Sequence, residues 1–350
     1  MDTLATIQSR HSVYLERLKS GYAKNFDPFL QAMAAQIKSM LNAKELTSYT
    51  TKQLEKELAK LEKAIDDSYK EYQAVLMANV DELAQYEAGF EVRTLGKVST
   101  ASIMTPTAVA ISTAVLFEPL QAEGLKGRLL ESFYAEWTGK TKAQVSGIIR
   151  LGYSQGSSIA EITRQLVGTK QFKYNDGLLG GKKRTTDIMV RTALQHASTI
   201  SRDRVWQDNT DIAEKYEWVS TLDMRTSSTC RALDGRQWVL GNGPKPPAHV
   251  GCRSTVILVL KDKYKKTAEE RAASNVGLKV PKGDTYYDWL KTQPHDFVQD
   301  VIGTKRATLL LSDKLTVKRF TELQLDRKFE PLTLAEMKLK EPKVFADLGL

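Results

Sequence analysis

Residues 216–260 read YEWVSTLDMRTSSTCRALDGRQWVLGNGPKPPAHVGCRSTVILVL and hold both cysteines of the chain, Cys230 and Cys252, with His249, one of its four histidines. Three short runs rich in β-branched and aromatic residues, 216–220, 237–240 and 255–260, read as strands. Asp234-Gly235 supplies a tight turn between the first two. The longer loop Gly241-Asn-Gly-Pro-Lys-Pro-Pro247 precedes the third. A small antiparallel sheet built this way gathers its loops at one end, which brings Cys230, His249 and Cys252 together.

The flanks are helical. From Thr51 to about Glu87, Leu54, Leu58, Leu61, Ile65, Tyr72, Leu76 and Leu83 recur at threes, fours and their multiples, behind a Thr50-x-x-Gln53 capping box. Such a stripe packs within the chain or makes an oligomer seam. Residues 101–117 carry no charge over 17 positions, but include Pro106 and several hydroxyls and fall short of a membrane span. They read as a buried or β-rich connector. Thr141-x-x-Gln144 and Ser158-x-x-Glu161 suggest two further helix starts, broken at Gly156 and ended at Gly168. Residues 168–183 read as an exposed Gly- and Lys-rich loop, followed by a helix from about Thr185 to Gln207. Beyond the sheet, residues 261–284 read as a solvated connector. Short helices follow, one behind the box Thr333-x-x-Glu336.

The predicted class is α+β: mostly α-helical, with a small antiparallel sheet in the C-terminal half. The expected divisions are a helical region over 1–100, the apolar connector 101–139, a domain over 140–270 carrying the sheet, and a helical region over 271–350.

Composition is that of a globular chain, with 41% hydrophobic and 27% charged residues and a net charge of +9. Two cysteines do not make a disulfide scaffold, which favours an intracellular setting, and the first ten residues lack the basic start and apolar run of a secretory signal. The charge is uneven. Residues 1–100 carry 13 basic and 14 acidic side chains, whereas residues 140–191 carry ten basic against three acidic, a net of +7. Such a surplus attracts a phosphate backbone or an acidic protein surface, with Lys170, Lys173, Lys182, Lys183 and Arg184 as the contact candidates.

The motif order D-x-R-T, C, L-D-G and P-x-H-x-x-C-R, after a W-x-S strand, resembles the phage Mu protein F-like family of minor head, or head-morphogenesis, proteins. It is carried by Trp218, Ser220, Asp223, Arg225, Thr226, Cys230, Leu233, Asp234, Gly235, Pro247, His249, Cys252 and Arg253. The similarity extends to Ile188-Met-Val-Arg-Thr-Ala-Leu194 upstream and to Tyr286-Tyr-Asp-Trp-Leu290 and Phe329-Glu-Pro-Leu-Thr-Leu334 downstream, covering about residues 140–340. The resemblance implies a minor capsid protein of a tailed double-stranded-DNA phage, located in the virion and assembled in the host cytoplasm. It would be partnered by the portal, by capsid protein or scaffold and by packaged DNA, with no membrane and no catalytic residue. The alternatives are a zinc- or cysteine-dependent hydrolase and a nucleic-acid-binding module outside the capsid.

Three readings of Cys230, His249 and Cys252 stay open. One is a zinc site completed by Asp223 or Asp234. Some relatives have further cysteines in this region; the matching positions here, Ser227 and Ser254, are poor zinc ligands. Another is a nucleophilic cysteine with His249 as base. The third is a pair of buried side chains, thiol or disulfide, closing the loops. Asp223 and Arg225 would then pair with each other or with loop backbone groups. Trp218, Trp238 and His196 read as packing residues, and His295 as part of a turn.

Overall fold

The structure, a computed structural model, describes residues 4–42, 49–266, 271–272, 279–280 and 283–350. Helices dominate, as expected, around one three-stranded antiparallel sheet. The first layer is helical: α1 (Leu4–Lys24), α2 (Asp27–Asn42) and α3 (Thr51–Val98), the last 48 residues long. At 1.5 Å per residue α3 spans roughly 70 Å. The Thr50–Gln53 capping box starts it as the sequence suggests. Its apolar stripe from Leu54 to Leu83 is buried inside the chain, against α2, α5 and α7. Of the two readings of this stripe, packing within the chain is the one its burial matches.

Residues 101–117 are neither β-rich nor buried. They contain α4 (Ala108–Phe117), capped by Thr107, which buries only Ile111 and Val115 and leaves Val109 75% and Phe117 67% exposed. The next helix, α5 (Leu130–Gln155), begins earlier than expected, so the division at 139–140 falls in its interior. Thr141 caps nothing. Its hydroxyl donates to the Trp137 carbonyl and accepts from the Tyr69 hydroxyl. Gly156 ends α5 in the left-handed region, and the Ser158–Glu161 box opens α6 (Ile159–Val167).

The helix α7 (Leu178–Gln207) starts seven residues ahead of the expected position. Gly177 and Gly180 explain why. A Cβ on Gly177 would lie 2.3 Å from the Gly168 nitrogen, and one on Gly180 2.5 Å from the Tyr174 carbonyl oxygen. These glycines let the helix press onto the preceding loop, which is therefore shorter than the 168–183 reading. Every α7 residue from 192 to 202 is buried, so the helix is covered on all sides.

The sheet comprises β1 (Ala213–Val219), β2 (Gln237–Val239) and β3 (Thr255–Leu260) in the order β2-β1-β3, with the short helix α8 (Ser228–Leu233) between the first two. Tyr216 pairs with Trp238, and Trp218 with Val256. A second antiparallel pair joins β4 (Arg271–Ala272) to β5 (Lys279–Val280). Residues 261–266 are tethered at the backbone, Thr100 N donating to Tyr264 O and Lys266 N to Val98 O, while Asp262, Lys263 and Lys266 stay exposed as expected. The rest of the expected connector, 267–270, 273–278 and 281–282, lies outside the described residues. Six short helices, α9 (Tyr286–Lys291) to α14 (Pro342–Asp347), complete the chain. Buried apolar side chains form one continuous cluster from Leu4 to Phe345. Among the described residues no helix is long and apolar enough to cross a membrane.

Candidate functional site

The first turn of α8 and the turn over residues 249–252 converge as the strand pattern predicts. Ser227 caps α8 by accepting the Cys230 amide, and Cys252 N donates to His249 O. Cys230 Sγ lies 3.6 Å from Cys252 Sγ and 3.2 Å from His249 Nε2. One ligand atom from each residue falls within 4.8 Å of the other two. Both thiols are free and buried, while His249 is half-buried.

The cluster is polarised. Hydrogen bonding to Cys252, then burial, push the Cys230 thiol well above its ordinary value of 9.0. The bond from Cys230 and the His249 imidazole hold Cys252 well below that value. Burial alone would lower His249, but its hydrogen bond to Cys252 and the charge there hold it above 6.5. Of the two sulfurs, Cys252 is the one these neighbours favour as acceptor of the Cys230 S–H. The Ser227 and Ser254 hydroxyls partly offset the rise at Cys230. The two cysteines are each 1% exposed, which shields both sulfurs from bulk solvent.

Neither aspartate proposed as a fourth ligand reaches the cluster. Asp223 accepts two bonds from the Arg253 guanidinium, at 2.6 and 2.8 Å. Burial would raise its carboxyl; Arg253, with the Arg225 amide, holds it below 3.8. Arg253 is therefore its main partner. The Arg225 side chain is 77% exposed and stays 3.8 Å away. Asp234 accepts the Ser220 amide on one oxygen and the Tyr286 amide on the other, both at 2.6 Å. It joins β1, α8 and α9 at one carboxylate. Trp218 Nε1 donates to Ser220 Oγ, which donates to Cys230 O, and Tyr286 Oη donates to Asp223 O. The motif residues therefore brace one another and the backbone between them.

A second polar centre has no counterpart in the sequence reading. Glu87 and Glu91 on α3 face Arg202, Ser198 and Trp206 on α7, with Gln8 and His11 on α1, and all are buried. Glu87 accepts from Ser198 Oγ at 2.7 Å and meets His11 Nε2 at 2.5 Å; Glu91 accepts from Trp206 Nε1 and Gln8 Nε2. Arg202 donates to Gln8 Oε1, Thr255 Oγ1, Val256 O and Ser198 O. Lys19, fully buried, donates to Glu16 and Gln195, and Gln195 donates to Ser254 O beside the cysteines. His196 packs as expected, its Nε2 at 3.2 Å from Val115 O and its pKa lowered by burial to about 4.

The basic surplus meets the acids of the N-terminal helices. Arg150 makes a bidentate pair with Glu55, Lys142 pairs with Asp66, Arg191 with Glu16, and Lys183 with Asp27. Lys182 is not a surface contact. It is 8% exposed, its Nζ donates to Gln144, and burial lowers its pKa. Lys170, Lys173 and Arg184 stay exposed, and the aromatic rings of Phe172 and Tyr174 lie exposed beside the first two. The alternation Lys170-Gln-Phe-Lys-Tyr174 is the signal that reading for charge alone passes over. The chain matches no protein-family model, and no curated protein or solved structure matches it significantly.

Proposed function

We propose that the chain is a minor capsid, head-morphogenesis protein of a tailed double-stranded-DNA phage, bound at the portal and head interior in the virion. The observation that carries this reading is the use made of the motif. Asp223, Arg253, Asp234, Ser220 and Trp218, which carry the resemblance to Mu protein F-like proteins, are engaged with one another and with backbone groups. A motif used this way holds a fold for assembly, and no residue is assigned a catalytic role. The exposed cations Lys170, Lys173 and Arg184, with Phe172 and Tyr174, suit a contact with packaged DNA or with an acidic face of the portal. Mass spectrometry of gradient-purified proheads and virions tests the proposal. The protein is expected in both, co-purifying with the portal, and its absence from both particles would remove the reading.

A further inference from the structure

We propose that Cys230, His249 and Cys252 bind a thiophilic divalent cation of the Zn2+ class. A zinc ion about 2.3 Å from sulfur and about 2.0–2.1 Å from nitrogen, at tetrahedral angles, sets its ligands about 3.8 Å apart for sulfur–sulfur and about 3.6 Å for sulfur–nitrogen. The protein holds the two sulfurs 3.6 Å apart and Cys230 Sγ 3.2 Å from His249 Nε2. Those two edges lie within a few tenths of an ångström of the tetrahedral values, and all three ligand atoms fall within 4.8 Å of one another.

The imidazole is oriented for the task. His249 Nδ1 lies 3.0 Å from the Val250 carbonyl oxygen, to which it donates. In the neutral ring this places the lone pair on Nε2, facing the sulfurs, the outer-shell arrangement that fixes the tautomer of a metal-bound histidine. Charge agrees with geometry. Two thiolates balance a dication, and loading releases to solvent whatever protons the ligands carry. Sulfur and imidazole donors select zinc-like ions over magnesium or calcium. With Asp223 and Asp234 committed to other partners, water takes the fourth corner, entering past the half-buried His249. The ion would tie α8 to the irregular segment 240–254, which carries His249 and Cys252 between β2 and β3. This goes beyond the assembly reading and does not depend on it.

The experiment uses the full chain, reduced, stripped with chelator and titrated with Co2+ alone under anaerobic conditions. About one equivalent per chain is expected, with thiolate-to-cobalt charge-transfer absorption, tetrahedral ligand-field bands, a raised melting temperature and displacement by Zn2+. His249→Ala keeps both buried thiols and should weaken binding by more than the roughly ten- to hundredfold that loss of an outer-shell partner costs. Folded wild-type protein that shows no charge-transfer band at saturating Co2+ would overturn the proposal. So would equal binding by His249→Ala, or a Cys230–Cys252 disulfide in anaerobically purified protein. None of these results bears on whether the protein is found in particles.

Discussion

Arg202→Met is the sharpest test of how the helical layer holds the sheet. The methionine fills much of the same volume but removes every donor. It severs the bonds to Gln8 Oε1 at 2.9 Å, Thr255 Oγ1 at 2.8 Å, Val256 O at 3.3 Å and Ser198 O at 3.2 Å. It also removes the positive charge 3.8 Å from Glu87 Oε2. Removing one side of a buried ionic network costs about 3–5 kcal/mol, because the acids stay behind without their counter-charge. Unfolding entropy for a chain of this length converts this to a melting-temperature fall of about 4–7 °C. The assay is urea unfolding followed by circular dichroism, at neutral and acid pH. Burial pushes the Glu91 carboxyl above its ordinary 4.5, against the opposing pull of Arg202. A raised acid contributes stability that is fully present below the unfolded value of 4.5 and lost as pH rises through the native value. Without Arg202 the native value rises further, so the deficit of the variant grows from acid toward neutral pH. Adding Glu91→Gln should recover about 1 kcal/mol or more by removing the stranded charge. A neutral-pH loss below about 1 kcal/mol, or a deficit that grows on acidification, would refute the reasoning.

Asp234→Ala strands the Ser220 and Tyr286 amides and should cost about 3 kcal/mol or more in urea denaturation, each lost bond being to a charged acceptor; a loss under about 1 kcal/mol would mean the amides find water. Asp223 is held below 3.8, so its contribution is present above pH 3.8 and fades as pH falls through the lower native value. Asp223→Asn should therefore be less stable than wild type at neutral pH and converge with it in strong acid; a constant gap would contradict the Arg253 pairing. Replacing Lys170, Lys173 and Arg184 with Gln should flatten the log–log salt dependence of DNA binding by up to about 0.9 per contact. Lys182→Gln, a buried position, should leave that slope unchanged, and an unchanged slope in the triple variant would point to the portal surface instead.

What could be read in the chain was local. The strands followed from β-branched runs around Asp234-Gly235, and the boxes at Thr50, Ser158 and Thr333 from hydroxyl and carboxamide or carboxylate spacing. The same spacing misled at Thr141, because a threonine inside a helix satisfies itself on the preceding turn, here on Trp137 O. Leu130, Phe133, Tyr134 and Trp137 had already begun the apolar face, and that phase outranks the box. Lack of charge over residues 101–117 does not mean burial, because the short helix capped by Thr107 buries Ile111 and Val115 and exposes Val109, Leu116 and Phe117.

Pairings across long separations were invisible for a different reason: spacing carries no record of which distant residue arrives opposite. Asp223 has Arg225 two positions away, yet the loops beside β1 and β3 bring Arg253 to it from 30 positions on. The acids at Glu55 and Asp66 meet Arg150 and Lys142 only because α5 packs along α3. Glu87 and Glu91 show how far phase alone could have gone. They continue the stripe of α3 at steps of four from Leu83, so a strictly helical reading puts two carboxylates on a core-facing edge. Buried carboxylates require cations or donors, so a partner helix with its own inward polar residues was implied. Which helix it was could be known only from the fold, because Ser198 and Trp206 lie 111 and 115 residues further along.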